Sequence, residues 1–205
     1  MSLLQKLRDR LFGPKMPDLN DVPRIHREDV ELESDDKSGF AKNQDQPDKS
    51  SVSPGNMQFP ERVLFVCSGY MCRSPYGAAR FASLAQSRKV QVVSAGTLRL
   101  VGRGAAPEMM KTAAENGLNL ETHRSNALSK MLIQASDVIF VMELIHRQEV
   151  LRLCPDAANK IVLLGNWLHE PVQELVDPMG KSPEVYREVA AQIDSALENW
   201  FKQWT

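Results

Sequence analysis

Four short apolar runs set the limits on how this chain can fold: 62–66 (RVLFV), 90–95 (VQVVSA), 137–142 (DVIFVM) and 160–164 (KIVLL). Each is apolar on both faces and rich in β-branched residues, as interior strands of a parallel sheet are. Helical stretches separate them. One starts at Pro75, and another runs from Pro107 to a stop at Gly117, with proline at its start and glycine past its end. A third covers 143–153. The last opens with Ser182 as cap and Pro183 in its first turn. Its Val185, Val189, Ile193, Leu197 and Phe201 repeat every four residues as a core-facing stripe. The alternation predicts an α/β fold: a doubly wound four-stranded parallel sheet with helices on both faces and ligands at the C-terminal ends of the strands.

Ahead of this pattern the composition is different. In residues 1–15, Leu3, Leu4, Leu7, Leu11 and Phe12 fall on one face of a short amphipathic helix among four basic side chains and one acid. Residues 16–60 hold ten acids, five bases and five prolines, with Phe40 and Phe59 as the large rings. Such a stretch buries too little apolar surface to offset its ordering entropy, and it reads as a disordered acidic tether. The expected organisation is therefore a helix over 1–15, a tether over 16–60 and one domain over 61–205. Removal of 1–60 is expected to leave fold and activity intact. The basic leucine-rich helix suits a membrane surface or a partner's groove, or else is a weakly helical tail.

The net charge of −1 gives no reason to expect a nucleic-acid partner. No run of about 18 apolar residues occurs, so no membrane span is expected. Lys6, Arg8, Asp9 and Arg10 interrupt the N-terminal leucines, which argues against a signal peptide. Three cysteines make a disulfide framework improbable and point to the cytoplasm.

The first strand runs directly into Cys67-Ser68-Gly69-Tyr70-Met71-Cys72-Arg73-Ser74-Pro75. A cysteine and an arginine separated by five residues is a weak signal alone; its place between a strand and a helix strengthens it. Such a loop turns consecutive N–H groups inward, and the helix dipole favours an anion there. Gly69 allows a tight turn, and Arg73 offers a planar fork to two phosphate oxygens. The same field should lower the pKa of Cys67 from ~8.5, favouring the attacking thiolate. The Ser74 hydroxyl is placed to donate to that thiolate. Together these residues suggest covalent phosphoryl transfer, helped mainly by positioning and charge. Asp177-Pro178, in a polar loop before the last helix, offers a carboxyl group for the leaving oxygen.

These residues resemble the low-molecular-weight protein tyrosine phosphatases, over about residues 62–204. The resemblance rests on the 67–74 loop, on Ser94-Ala95-Gly96-Thr97, on the segment 137–143 and on Asp177-Pro178. It is closest to bacterial members that act beside tyrosine kinases of polysaccharide synthesis. It implies that Cys67, Arg73 and Asp177 are catalytic: nucleophile, phosphate holder and general acid in turn. Ser68, Gly69, Tyr70, Met71, Cys72 and Ser74 would bind the substrate, and Ser94 would support the loop. It implies no metal and no cofactor, and a phosphotyrosine protein, such as a tyrosine autokinase, as partner. It also implies that Cys72 can pair reversibly with Cys67 and shield it from over-oxidation.

Two positions depart from the family. Tyr70 stands where an asparagine usually braces the loop through the serine matching Ser94, and Met179-Gly180 stands where an aromatic often follows the Asp-Pro pair. Plainer readings exist beside these: Cys67 as a packed cysteine, Asp177 as a helix cap, Cys72 and Cys154 as filler, His123 and His146 as satisfied local hydrogen-bonders. Three rival functions stand beside the phosphotyrosine reading: a protein-arginine phosphatase, an arsenate reductase, and a phosphate-binding module without turnover. An arsenate reductase would need a downstream cysteine pair, and only Cys154 is present there.

Overall fold

A computed structural model describes residues 58–69, 71–98 and 101–204. The amphipathic helix expected over 1–15, most of the tether and Tyr70 lie outside the described residues. β1 (Arg62–Cys67) is buried along all but its first residue. β2 (Gln91–Gly96) pairs with one side of it and β3 (Val138–Val141) with the other, and β4 (Ile161–Leu163) extends the sheet beyond β3. All pairings are parallel, in the order β2-β1-β3-β4. The expected four-stranded parallel sheet is therefore present.

Alternation along β1 divides the core into two layers. Val63, Phe65 and Cys67 face a cluster completed by α1 (Arg73–Leu84), α2 (Pro107–Glu115) and α5 (Pro183–Phe201). Leu64 and Val66 face the opposite cluster, with Ile133 of α3 (Lys130–Ala135) and Val150 of α4 (Leu144–Leu153). A strand buried on both faces has no room for a polar face, which is why its sequence reads as an unbroken apolar run. α1 approaches β1 closely through Gly77: a Cβ there would lie 2.8 Å from Cδ1 of Phe65. The stripe on α5 is largely inward, with Val189, Ile193 and Leu197 buried and Val185 and Phe201 partly so.

Three details differ from the expectations. α1 begins at Arg73, two residues before Pro75, so the arginine itself opens the helix. α3 was not expected; its six residues are capped by Ser129, whose side chain accepts from the Leu132 N–H. Phe59, counted in the tether, packs against Trp204 (5.3 Å between centroids) and Phe201 (5.7 Å), with the Arg88 guanidinium 4.3 Å over its ring. Partial burial of a phenylalanine in such a cluster contributes about 2 kcal/mol. A chain starting at residue 61 is therefore expected to melt about 6 °C below one starting at 58. Equal melting temperatures for the two truncations would show that Phe59 adds nothing.

Candidate active site

Strand register gathers the site at one edge of the sheet. Cys67 closes β1 opposite Gly96, and Val66 pairs with Val141, so Met142 and Glu143 emerge from β3 beside the start of the loop. The loop carbonyls are taken from outside: that of Cys67 by the Thr97 N–H (3.1 Å), that of Ser68 by Leu98 (3.1 Å) and that of Met71 by Ala106 (2.8 Å). Carbonyls engaged from outside leave the N–H groups of such a loop to face the other way, which is what an anion cradle at a helix N-terminus requires.

The left-handed glycines among the described residues are Gly102, Gly117 and Gly180. Gly69 is not among them and lies in a bend beside Tyr70, which is outside the described residues. A Cβ there would meet no atom within 4 Å, so what the glycine leaves is open space on the loop. Met71 packs against the first core cluster. Cys67 is buried, and its Sγ lies 3.1 Å from Ser74 Oγ, the pairing the sequence suggested.

Arg73 is 1% exposed. Its Nη1 donates to Glu143 Oε1 and, at 2.8 Å, to the Leu175 carbonyl. Nη2 is 2.8 Å from Asp177 Oδ2, an ion pair whose angle makes no hydrogen bond. Nε and Nη2 are both buried without a hydrogen-bond partner. Leaving two guanidinium donors unsatisfied in the interior is costly, and two oxygens of one oxyanion would satisfy both. Asp177 is half-exposed above them. Its Oδ1 accepts from the Met179 N–H (3.1 Å), and the Pro178 carbonyl accepts from Lys181 (2.9 Å) across a turn whose third residue, Gly180, has φ +73°. That turn needs a residue free to adopt positive φ, which accounts for glycine at 180.

Cys72 is buried, and burial first, then the charges of Asp177 and Cys67, push its thiol up to about 12. It shares a hydrogen bond with Tyr186. No disulfide joins Cys67, Cys72 or Cys154. Ser94 is 7% exposed on β2, and Tyr70, the loop position facing its expected role, lies outside the described residues. Further contacts to the loop come from β3's side. His146 Nε2 lies 2.7 Å from Ser68 Oγ, and His146 Nδ1 accepts from the Glu143 N–H at 3.1 Å. Sequence reasoning took His146 as a local hydrogen-bonder and gave Glu143 no role. The only signal was Glu143 and His146 at capping-box spacing at the end of a buried strand. Among the described residues no cluster of His, Cys, Asp or Glu could hold a metal ion, and no helix is long and apolar enough to cross a membrane.

Comparison with known proteins gives consistent results. The family described as low molecular weight phosphotyrosine protein phosphatase matches residues 62–205. The low molecular weight protein-tyrosine-phosphatase Wzb of Escherichia coli K12 is 36% identical over 142 residues, 69% of this chain and 91% of that protein. The crystal structure of the tyrosine phosphatase Wzb from Escherichia coli K30, in complex with sulphate, superposes with a TM-score of 0.66. It is 31% identical and covers 72% of this chain and 100% of its own. The arginine phosphatase YwlE from Geobacillus stearothermophilus superposes with a TM-score of 0.65 at 29% identity, over 71% of this chain and 93% of its own.

Proposed function

Because the chain belongs to the low molecular weight phosphotyrosine protein phosphatase family, we propose that it hydrolyses protein phosphotyrosine through a phosphocysteine intermediate. The observation that carries this reading is the buried Arg73 guanidinium, whose Nε and Nη2 make no hydrogen bond and whose Nη2 is ion-paired with Asp177. It stands at the end of a loop that starts at Cys67 and whose carbonyls of Cys67, Ser68 and Met71 are engaged from outside. That the E. coli K30 Wzb structure is a complex with sulphate, a tetrahedral dianion like phosphate, supports the reading.

The reaction runs in two halves. The Cys67 thiolate attacks phosphorus, the bond to the tyrosine oxygen breaks, and Asp177 gives its proton to the leaving phenolate. Arg73 Nε and Nη2, with the loop N–H groups, hold the phosphoryl oxygens as charge spreads over them. The Asp177 carboxylate then takes a proton from water, whose oxygen attacks phosphorus. The sulfur–phosphorus bond breaks, inorganic phosphate leaves, and the Ser74 hydroxyl donates to the returning thiolate. Glu143 and the Leu175 carbonyl occupy Nη1, which leaves the fork with one usable edge. The natural substrate is a phosphotyrosine protein of the cytoplasm, in this reading a tyrosine autokinase of polysaccharide synthesis.

A second reading, a protein-arginine phosphatase, is favoured by the likeness to YwlE. A steady-state assay with phosphotyrosine, phosphoserine and phosphoarginine peptides, without added metal, separates the two. Turnover of phosphotyrosine alone is expected. Turnover of phosphoarginine alone would replace the reading, and binding without turnover of any peptide would leave a phosphate-binding module.

A further inference from the structure

The mechanism above makes no use of one fully buried titratable side chain. His146 is 0% exposed, and both its ring nitrogens are committed. Nδ1 faces a backbone N–H and is therefore an acceptor without a proton; the proton sits on Nε2, which donates to Ser68 Oγ. We propose that His146 is a positioning residue that holds the phosphate-binding loop in its working shape through Ser68.

The arrangement ties the loop at both ends to one structural unit. Ser68 at its start is held by the imidazole, and Arg73 at its end is held by the Glu143 carboxylate. Glu143 and His146 are themselves joined by a reciprocal capping box at the N-terminus of α4. The loop carbonyls are held separately, from Thr97, Leu98 and Ala106 on the opposite side. Displacement of any one anchor would tilt inward N–H groups away from the oxygens they serve, and sub-ångström placement governs such electrostatic sites. Burial, with the Arg73 charge behind it, pulls the imidazole down to about 3, so the brace stays neutral and keeps its tautomer across physiological pH. A neutral donor suits this place: a second cation would compete with Arg73 for Glu143, whose Oε1 is 3.8 Å from Nε2.

A histidine serving only as a helix cap would be replaceable by glutamine, the usual third residue of a capping box. What the imidazole adds is the bond to Ser68. His146→Gln keeps the cap and loses that bond; Ser68→Ala loses the bond from the other side; Ser68→Thr retains the hydroxyl. The proposal rests on the phosphatase reading, and the experiment separates the two by measuring binding of inorganic phosphate calorimetrically beside turnover of a phosphotyrosine peptide and thermal melting. If the unaltered protein binds phosphate but turns over no peptide, the phosphatase reading fails while the binding arm still tests the brace. Phosphate Kd is expected to rise about 10-fold in Ser68→Ala and in His146→Gln, kcat/KM to fall at least as far, and the double variant to lose no more than either single one. Ser68→Thr is expected to stay within about 3-fold of the parent. Ser68→Ala is exposed to little risk of misfolding, so the test survives even if His146→Gln does not fold. Unchanged phosphate binding in a well-folded Ser68→Ala, or losses that multiply in the double variant, would reduce His146 to a cap.

Discussion

Replacement of Cys67 by serine is expected to lower turnover of a phosphotyrosine peptide at least ~1,000-fold while leaving inorganic phosphate bound with an affinity within about 3-fold of the parent. The two effects separate because the groups that bind and the group that attacks are different. In the proposed mechanism binding rests on Arg73 Nε and Nη2 and on the N–H groups of the loop, none of which changes. Attack rests on an ionised sulfur. A thiol gives up its proton within reach of neutral pH, whereas an aliphatic hydroxyl does not, and Ser74, 3.1 Å away, is a hydroxyl that offers no base. A residual rate within tenfold of the parent would remove Cys67 from the role of nucleophile. Loss of phosphate binding together with turnover would mean instead that the substitution had disturbed the loop, which a melting curve of each protein resolves.

Cys67, Ser74 and Arg73 could be read from the sequence because they lie within one strand–loop–helix unit. Asp177, far along the chain from its partner Arg73, was legible only through the family resemblance. Glu143, Leu175 and His146 reach Arg73 and Ser68 from 70 or more positions away, through the pairing of β1 with β3 and the packing of the Asp177 loop. Register of that kind is a tertiary fact. A sequence shows that two apolar runs are strands, and it does not show which residue of one lies opposite which residue of the other.

Phe59 escaped for a related reason. A single aromatic ring in an acidic, proline-bearing stretch carries no periodicity, and its partners Phe201 and Trp204 stand at the far end of the chain. α3 escaped because six residues are too few to establish a repeat, although Ser129 was present as a capping signal. Glycine signals either unusual φ or open space, and the sequence does not distinguish the two at Gly69, where a Cβ would meet no atom within 4 Å. Elements whose pattern repeats over many residues, such as β1 and α5, were legible because repetition is what burial on a defined face imposes.

Asp177→Asn is expected to move binding and turnover in opposite directions. In the structure the Asp177 carboxylate lies 2.8 Å from Arg73 Nη2, one of the two donors left for an oxyanion. A phosphate dianion must displace that interaction and then sit beside a second negative charge. Both costs fall when the carboxylate becomes an amide, so inorganic phosphate is expected to bind about 5-fold more tightly. The same proximity puts the carboxyl group beside the bound phosphoryl group, within reach of the leaving oxygen. Loss of that proton should slow cleavage of a phosphotyrosine peptide about 100-fold or more, since the phenolate leaves poorly without it. An activated aryl phosphate, whose phenolate needs no proton, should still phosphorylate Cys67 at nearly the parental rate. Hydrolysis of the intermediate would then be slow, because no carboxylate remains to accept a proton from water. Rapid mixing should therefore show a burst of phenolate equal to the enzyme present, followed by slow release, with the activated substrate and no burst with the peptide. Equal slowing of both substrates in the first turnover would show that Asp177 acts on something other than the leaving oxygen. Weaker phosphate binding in the variant would show that the ion pair with Arg73 supports the site rather than competing for it.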